Sequence, residues 1–442
     1  MSTVVARFND WRRRHMSDTA FFFLLTVIIG LIAGTAAHLL KMMIKGVSAV
    51  MTSGFTPDNV DWLLIVVPVA GIMLTGMFQR YVARRNLEHG VARLSQRLKN
   101  GQYAMGPASL VTRMIAASIT LGFGGSAGSE GPIACTGASV GSNIGRALCL
   151  TDDQTRVLIG CGAAAGIAGI FKSSVGGAMF TFEALAMELT MVSVIGVFTA
   201  SIIASLTAYV LSGCTIDLAF SNHIAIAGDV YPFVIVLGLF CGFYSIYYSA
   251  MVGKMERWFG TISSPWIRNL VSGGILGLLL FSFPALYGEG YGLMGKIING
   301  DYHNILNGSV LAGLDLGSWS LIVVAALVIL VKCFACCSSN SGGGVAGDYA
   351  PTLFAGVVAG LLFALLSNRL IGTQLPVGLF GLFGMAGVMS GVVRTPMLAV
   401  FITTEMAAAY EYFLPICIVG FTSIVVVKLF SSEPFLYRNL RN

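Results

Sequence analysis

Apolar runs long enough, or nearly long enough, to cross a bilayer recur from one end of the chain to the other. Ala20–Ala37, Trp62–Met77, Met191–Leu211 and Leu321–Val331 are the clearest. A hydrocarbon core of about 30 Å takes roughly 20 residues of helix, and only helices or closed barrels satisfy every backbone group there. Charged residues make up 10% of the 442 positions and the mean hydropathy is +0.83, whereas a soluble domain carries about 25% charged residues. The expected class is an all-α polytopic membrane protein. Apolar segments are expected at about 20–43, 61–79, 107–123, 132–150, 156–171, 173–190 and 192–212. A second set is expected at about 231–252, 268–284, 318–336, 350–367, 376–392, 396–410 and 412–430. Between them lie a basic amphipathic stretch at 80–101, a polar connector at 213–230 and a polar loop at 285–317. Fifty-four glycines in such a chain predict close helix packing and broken helices.

The expected organisation is a basic tail at 1–18, a single transmembrane domain at 19–430 and a short tail at 431–442, with no appended soluble domain. The net charge of +6 gathers in loops beside apolar runs and does not suggest nucleic acid as a partner. Arg7, Arg12, Arg13 and Arg14 precede the first run, and Arg80, Arg84, Arg85, Arg93, Arg97 and Lys99 follow the second. Two crossings return the chain to its starting side, so the positive-inside rule places both clusters, and the N-terminus, in the cytoplasm of a cell whose inner (plasma) membrane holds the chain. The first run is too long for a signal peptide and lacks a clear cleavage site. Nine cysteines lie mostly inside apolar segments. Cys333, Cys336 and Cys337 cluster, but no His or second Cys pair lies nearby, so neither a metal site nor a disulfide scaffold is read from them. No cofactor is expected.

Within the transmembrane domain the text repeats, with repeat one at about 20–212 and repeat two at about 231–430. Gly128-Ser129-Glu130-Gly131-Pro132 matches Gly347-Asp348-Tyr349-Ala350-Pro351 as Gly-x-x-small-Pro. Each follows a glycine-rich approach, Gly124-Gly125 in one and Gly342-Gly343-Gly344 in the other. Pro132 stands 40 residues before Lys172, and Pro351 stands 43 before Arg394. Lys172 precedes Glu183 by 11 residues, as Arg394 precedes Glu405. Four matches in one order and spacing indicate a duplication, inverted if each half crosses an odd number of times.

Pro favours the first turn of a helix, where its missing N–H costs nothing, and glycine lets backbone N–H groups approach a ligand closely. Gly-x-x-small-Pro therefore reads as a loop feeding a helix N-terminus, which carries roughly half a positive charge. Two such ends make an anion site without a full cation, weak enough for release. Glu130 lies among these donors as an anion in its own right, able to occupy the site when ionised and to vacate it when protonated or displaced. The plainer role is a helix cap or a partner for Arg113 or Arg146. His89, before Gly90 at the start of the amphipathic stretch, is an anion donor or a surface histidine. Tyr437 is an interfacial aromatic when taken alone. Glu183 and Glu405 are buried acids with partners on other helices, or carriers of protons. Gly124-Gly125-Ser126-Ala127-Gly128 also fits the G-x-S-x-G nucleophile pattern, which requires a strand-turn-helix context that the apolar helical flanks do not provide. Gly122-Phe123-Gly124 lacks the βαβ surroundings of a dinucleotide loop.

Gly128-Ser129-Glu130-Gly131-Pro132 resembles the G-x-E-G-P signature of CLC chloride channels and proton-coupled chloride transporters. The continuation Ile133–Leu148, with Gly137, Gly141, Asn143, Ile144, Gly145 and Arg146, is similar too. Gly347-Asp348-Tyr349-Ala350-Pro351 looks like the family's second anion loop, and His89-Gly90-Val91 falls where its first loop is expected. The resemblance spans about residues 20–437 and implies a homodimer of bacterial type, without CBS domains, built from inverted repeats with broken and re-entrant helices and one pore per subunit. It implies that Glu130 is the gating glutamate and that Glu183 stands on a proton path. It implies that the anion meets His89, Gly90, Ser129, Gly131, the backbone of Asp348 and Tyr349, and the hydroxyl of Tyr437. The partners are then chloride, protons if coupled, and the lipid bilayer; no enzymatic reaction is expected. Coupled members often carry a second acid after the first glutamate of the following helix, and here the pair reads Glu183-Ala184. Ala92 replaces the proline of the first loop, and Asp348 sets a carboxylate beside an anion site. Channel and exchanger both stay open, as do fluoride or nitrate as the anion. The rivals of other classes are an unrelated inverted-repeat ion-coupled solute carrier and an intramembrane hydrolase.

Overall fold

The computed structural model describes residues 12, 14–54, 61–84, 87, 90–221, 224–309 and 319–431. Among the described residues the chain is helical throughout, with a single isolated β-bridge, Gly128 to Gly347, and no strand. In chain order the helices are α1 (Asp18–Met51), α2 (Leu63–Met77), α3 (Gly90–Lys99), α4 (Ala108–Gly122), α5 (Glu130–Ala147), α6 (Asp152–Phe171), α7 (Ser174–Met179) and α8 (Met191–Leu211). They continue as α9 (Tyr231–Gly260), α10 (Pro265–Ser282), α11 (Tyr291–Ile298), α12 (Ser320–Ser341), α13 (Tyr349–Leu370), α14 (Val377–Val393), α15 (Pro396–Met406) and α16 (Phe413–Phe430). Nine stretches among the described residues are long and apolar enough to cross a membrane. Their outer faces are apolar: Leu24, Leu31, Val66, Leu74, Ile202 and Leu206 are all exposed. Lipid, rather than water, is the medium that accepts such a surface. The chain is an all-α, polytopic membrane protein.

Most segments fall where periodicity places them, and the differences have local causes. The segment expected at 173–190 is the six-residue α7 followed by a π-turn, Phe180–Ala184, and Ala186 then takes a left-handed backbone. The polar loop at 285–317 is not wholly irregular, because Tyr291–Ile298 turns apolar residues inward and burying Met294, Ile297 and Ile298 forms α11. Helix α9 runs on to Gly260, eight residues past its expected end.

The chain divides into two compact units. The first comprises Met1–Met42, Gly90–Ile115 and Glu130–Thr215. Its centre is the α5–α6 pair. A side chain added at Gly137 would strike the carbonyl of Gly162, and one at Gly162 would strike that of Gly137. Without a hydrophobic drive between helices in lipid, such backbone-to-backbone approach supplies the van der Waals contact. Alanines of α6 (Ala164, Ala165, Ala168) and α8 (Ala200, Ala204) extend the same close packing around Ala33. Thr151 and Gln154 close a capping box on α6, above Asp152 and Asp153 in its first turn.

The second unit comprises Met43–His89, Ala116–Ser129 and Ile216–Asn442. Its α13–α14 pair repeats the device: a side chain at Gly356 would strike the Gly384 carbonyl, and the reverse holds. Backbone marks recur at matching positions as well. Gly124 (φ 92°) and Gly343 (φ 114°) are left-handed, each six residues before a helix start. Lys172 (φ 53°) and Arg394 (φ 62°) end α6 and α14 in the left-handed region, and Ala186 (φ 51°) and Ala408 (φ 52°) follow each by 14 residues. A left-handed L-residue costs roughly 1–2 kcal/mol, so the two matched non-glycine pairs are not a product of local preference alone.

Candidate anion site

Helix α5 begins at Glu130 and α13 at Tyr349, so Pro132 and Pro351 each stand third in their helix, inside the first turn. The loops leading to them pair within the second unit. Gly128 N–H donates to Gly347 O at 2.9 Å, and Gly347 N–H donates to Gly128 O at 2.6 Å. The helix starts follow this bridge by two residues in each loop.

Ser126 anchors the first loop. Its N–H donates to Ser339 Oγ (2.8 Å), and its hydroxyl donates to Leu286 O (2.6 Å). The same oxygen accepts from Lys332 Nζ at 2.8 Å, and that ammonium lies 4.6 Å from the Phe354 ring centroid. Lys332 is 1% exposed and Ser126 is 0% exposed. A serine with its proton on a backbone carbonyl and its lone pair on a lysine, shut away from any substrate, is a structural knot rather than a nucleophile. Tyr287 lies against Gly124: a Cβ there would stand 2.6 Å from its ring. Ser129, the last residue of this segment, sends both its N–H (2.9 Å) and its hydroxyl (2.6 Å) to Glu289 Oε1.

In the second loop the acid Asp348 has partners of its own. Asp348 is the N-terminal flank of α13 but makes no cap bond. Its Oδ1 instead accepts from Asn340 Nδ2 at 2.6 Å and from Cys336 Sγ at 3.4 Å, both on α12. The carboxylate is turned back into α12 and does not cap the first turn of α13. Tyr349 is 1% exposed.

In the first unit, Glu130 is also 1% exposed and stands in the first turn of α5, where the helix dipole favours a negative charge. Gly90 starts α3 against this end of α5. A Cβ on it would stand 3.4 Å from Gly131 O, 3.0 Å from Cys135 Sγ and 2.9 Å from the Arg113 guanidinium. The structure thus brings Gly90 beside Gly131. Arg146 lies 16 residues along α5 from Glu130, about 24 Å by helical rise, and is not its partner. Glu183 sits in the π-turn after α7, half-buried. Ala184 follows it, buried. Glu405 accepts from Tyr410 Oη at 3.2 Å, a neighbour in sequence. Lys172 Nζ donates to Thr215 O at 2.6 Å, just beyond α8, and Arg394 Nη2 donates to Ser431 Oγ at 2.9 Å, just beyond α16. His89 and Tyr437 lie outside the described residues.

Two groups escape the sequence motifs. Lys332 interrupts the apolar run of α12, and a buried ionisable residue within an apolar span is itself a functional signal. Glu289 hides in Gly288-Glu289-Gly290, and no spacing rule ties it to Ser129, 160 residues away.

Comparison with known proteins follows the same line. Residues 70–428 match the family described as voltage gated chloride channel. A putative chloride channel protein ClcB-like from Ralstonia nicotianae is 25% identical over 371 residues, 82% of this chain and 82% of that protein. The H(+)/Cl(-) exchange transporter ClcA of Vibrio parahaemolyticus is 24% identical over 437 residues, 95% of this chain and 90% of that one. Among solved structures, a slow cyanobacterial Cl-/H+ antiporter superposes with a TM-score of 0.81 at 19% identity, covering 95% of this chain and 97% of its own. A CLC-type fluoride/proton antiporter superposes with a TM-score of 0.75 at 23% identity, covering 94% and 96%. The family match covers well over half of the sequence: the chain belongs to the voltage-gated chloride channel family.

Proposed function

We propose that this chain carries chloride across the membrane through a pore gated by the Glu130 carboxylate. The observation that carries the reading is the matched pair of helix starts. Two loops joined at Gly128 and Gly347 each feed a Gly-x-x-small-Pro helix start, and only the first places a carboxylate at the first helical position. The α5 and α13 starts serve the anion path through the backbone of Ser129, Gly131, Asp348 and Tyr349, with His89, Gly90 and Tyr437 as further contacts. Dipole ends bind a small anion weakly enough for turnover. Ionised Glu130 occupies the anion's place, and its protonation or displacement opens the path. Glu183 carries protons if the chain is coupled; the buried Ala184 beside it removes the second acid that coupled relatives often use. The recurring left-handed positions support a duplicated domain, and the duplication is read as a pair of inverted repeats. Two copies assemble in the membrane, with the N-terminus on the cytoplasmic side where the basic residues flank α1 and α2.

The test is anion efflux from liposomes containing the purified chain, with external pH recorded in the same vessel and chloride, fluoride and nitrate compared. Chloride efflux that drives opposite proton movement identifies an exchanger. Efflux without a proton signal identifies a channel. Fluoride or nitrate efflux without chloride efflux reassigns the anion, and no anion flux at all removes the reading.

A further inference from the structure

Glu289 reaches Ser129 by a specific route. It lies between Gly288 (φ 65°) and Gly290 (φ 81°), both left-handed, in the short link between the turn Pro284–Leu286 and α11. The link runs beside the loop that precedes α5. Leu286 O accepts from Ser126 Oγ, and Tyr287 covers Gly124. Gly290 is pressed against the Phe354 ring, where a Cβ would stand 2.5 Å away. With both flanks fixed, the two glycines turn the intervening side chain onto Ser129, whose N–H and hydroxyl converge on one oxygen, Oε1.

The chemistry of that contact is the chemistry of anion binding. One backbone N–H and one hydroxyl, on a fully buried residue, point at a single carboxyl oxygen. Charge-assisted bonds of this kind are about twice as strong as neutral ones. The donors belong to the residue immediately before Glu130, which the transport reading assigns to the anion. A transported anion that uses Ser129 finds its donors already taken.

We propose that Glu289 is a second gating carboxylate, which holds the Ser129 donors in the resting pore and must be displaced by the transported anion. The inference rests on the anion-transport reading. It gives the chain two carboxylates acting on one helix start, one supplied by the helix itself and one by a loop from the far half of the sequence. Glu130 follows Ser129 directly, so displacement of Glu289 frees donors next to the first gate. A merely structural Glu289 makes a different demand: it needs an acceptor oxygen at this place, and the charge is immaterial.

The two roles separate in Glu289→Gln and Glu289→Ala. Gln keeps an oxygen able to accept both Ser129 bonds but loses the charge; Ala loses both. Chloride binding by calorimetry and chloride efflux from liposomes are measured for both variants and for the unaltered chain. The gating role predicts that chloride affinity rises on the order of tenfold in both variants, as expected when a charge-assisted competitor is weakened or removed. A Glu289→Gln protein with unchanged affinity, beside a Glu289→Ala protein that only loses flux, overturns the proposal in favour of a structural tie. A second measurement needs no variant. Carbodiimide labelling of Glu289, located by peptide mass spectrometry, is compared in chloride and in gluconate. Severalfold greater labelling in chloride supports displacement, and equal labelling overturns it. If the unaltered chain moves no anion, the transport reading falls and this inference with it; if it does, these outcomes bear on Glu289 alone.

Discussion

Gly128 and Gly347, 219 positions apart, exchange both of their backbone hydrogen bonds, at 2.9 and 2.6 Å. Each is the first residue of a Gly-x-x-small-Pro motif, so the bridge ties the two copies of one motif at the same register. Neither residue has a side chain to interfere, and no further strand pairing extends from the bridge among the described residues. The bridge sets the loops without building a sheet. Asymmetry enters two residues later, with Glu130 in one copy and Tyr349 in the other.

That asymmetry predicts the behaviour of Glu130→Gln. Gln is nearly isosteric and keeps the first-turn position, so the protein folds and elutes as the unaltered chain does. Proton movement coupled to chloride is lost, or the gate is fixed in one state, because the amide does not titrate near neutral pH. Paired chloride and pH recordings from liposomes check it. A mutant that behaves as the unaltered chain in both reduces Glu130 to a helix cap.

Asp348 offers a stability test. Asp348→Ala removes the 2.6 Å acceptor of Asn340 Nδ2, whose residue is 9% exposed, and leaves that donor only longer contacts to Gly347 O (3.5 Å) and Cys336 Sγ (3.9 Å). Loss of a buried donor's short bond costs up to about 1–3 kcal/mol. Asp348→Asn keeps an acceptor oxygen and is expected to cost clearly less. Thermal unfolding in one detergent ranks the unaltered chain above Asn and Asn above Ala. Equal loss in the two variants means that the charge, rather than the bond to Asn340, holds the α12 end to the loop.

How far the sequence carries can be seen in these same residues. The duplicated motif is legible because its requirements are local: glycine for approach and proline for the first turn. The unusual place of an acid at Asp348 is legible too. Its solution is not, since Asn340 and Cys336 are brought to it by the path of the chain through Gly342–Gly347, and no residue type encodes that path. Glu289 fails for the same reason at longer range. Lys332 is different: its signal is present in the run Leu321–Val331, which simply ends where the charge begins. The short α7 is masked because Ser174–Met179 and the π-turn after it are as apolar as a span, and only the backbone reversal at Ala186 shows that the helix has ended.

Lys332→Met should separate fold from transport. Met has similar length and no charge, and replacing a buried ionic group with a well-packed apolar one is often near neutral for stability. The Ser126 hydroxyl retains its bond to Leu286 O and its bond from the lysine is lost. Folding is expected to survive, within about 1.5–3 kcal/mol for the lost bond to a charged group. Loss of a positive charge from the unit that holds the second anion loop lowers the local potential for anions, so chloride affinity should fall severalfold. Calorimetry with chloride reads the change, and unchanged affinity confines Lys332 to holding Ser126.

Lys172 combines a left-handed backbone with a bond to Thr215 O. Lys172→Ala loses the bond and keeps the strain, whereas Lys172→Gly loses the bond and relieves the strain. Gly is therefore expected to be the more stable of the two by about 1 kcal/mol. Arg394→Ala and Arg394→Gly should show the same order at the matching position in the second unit. Thermal unfolding of the four variants checks it; an Ala variant as stable as its Gly counterpart shows that the turn relaxes when the basic side chain lets go.

The glycines that face one another across helix pairs make the final prediction. At Gly137 and at Gly356 a methyl group would run into a carbonyl of the partner helix, on Gly162 and Gly384 respectively. Neither carbonyl can move without displacing its whole helix, so Gly137→Ala and Gly356→Ala each force the pair apart. Overpacking of this kind costs typically about 1–3 kcal/mol and occasionally more. Gly274, inside α10, is the control, since nothing lies within 4 Å of a Cβ added there. The same substitution at Gly274 should stabilise the helix by roughly 0.5–1 kcal/mol, the ordinary gain from replacing glycine by alanine in a helix interior. The measurement is the melting temperature of the three variants in one detergent, with gel filtration to score folded yield. Two falls and one rise attribute the glycines of α5 and α13 to backbone approach. A uniform rise would mean that the α5–α6 and α13–α14 pairs have room to spare, and that their glycines serve motion instead of packing.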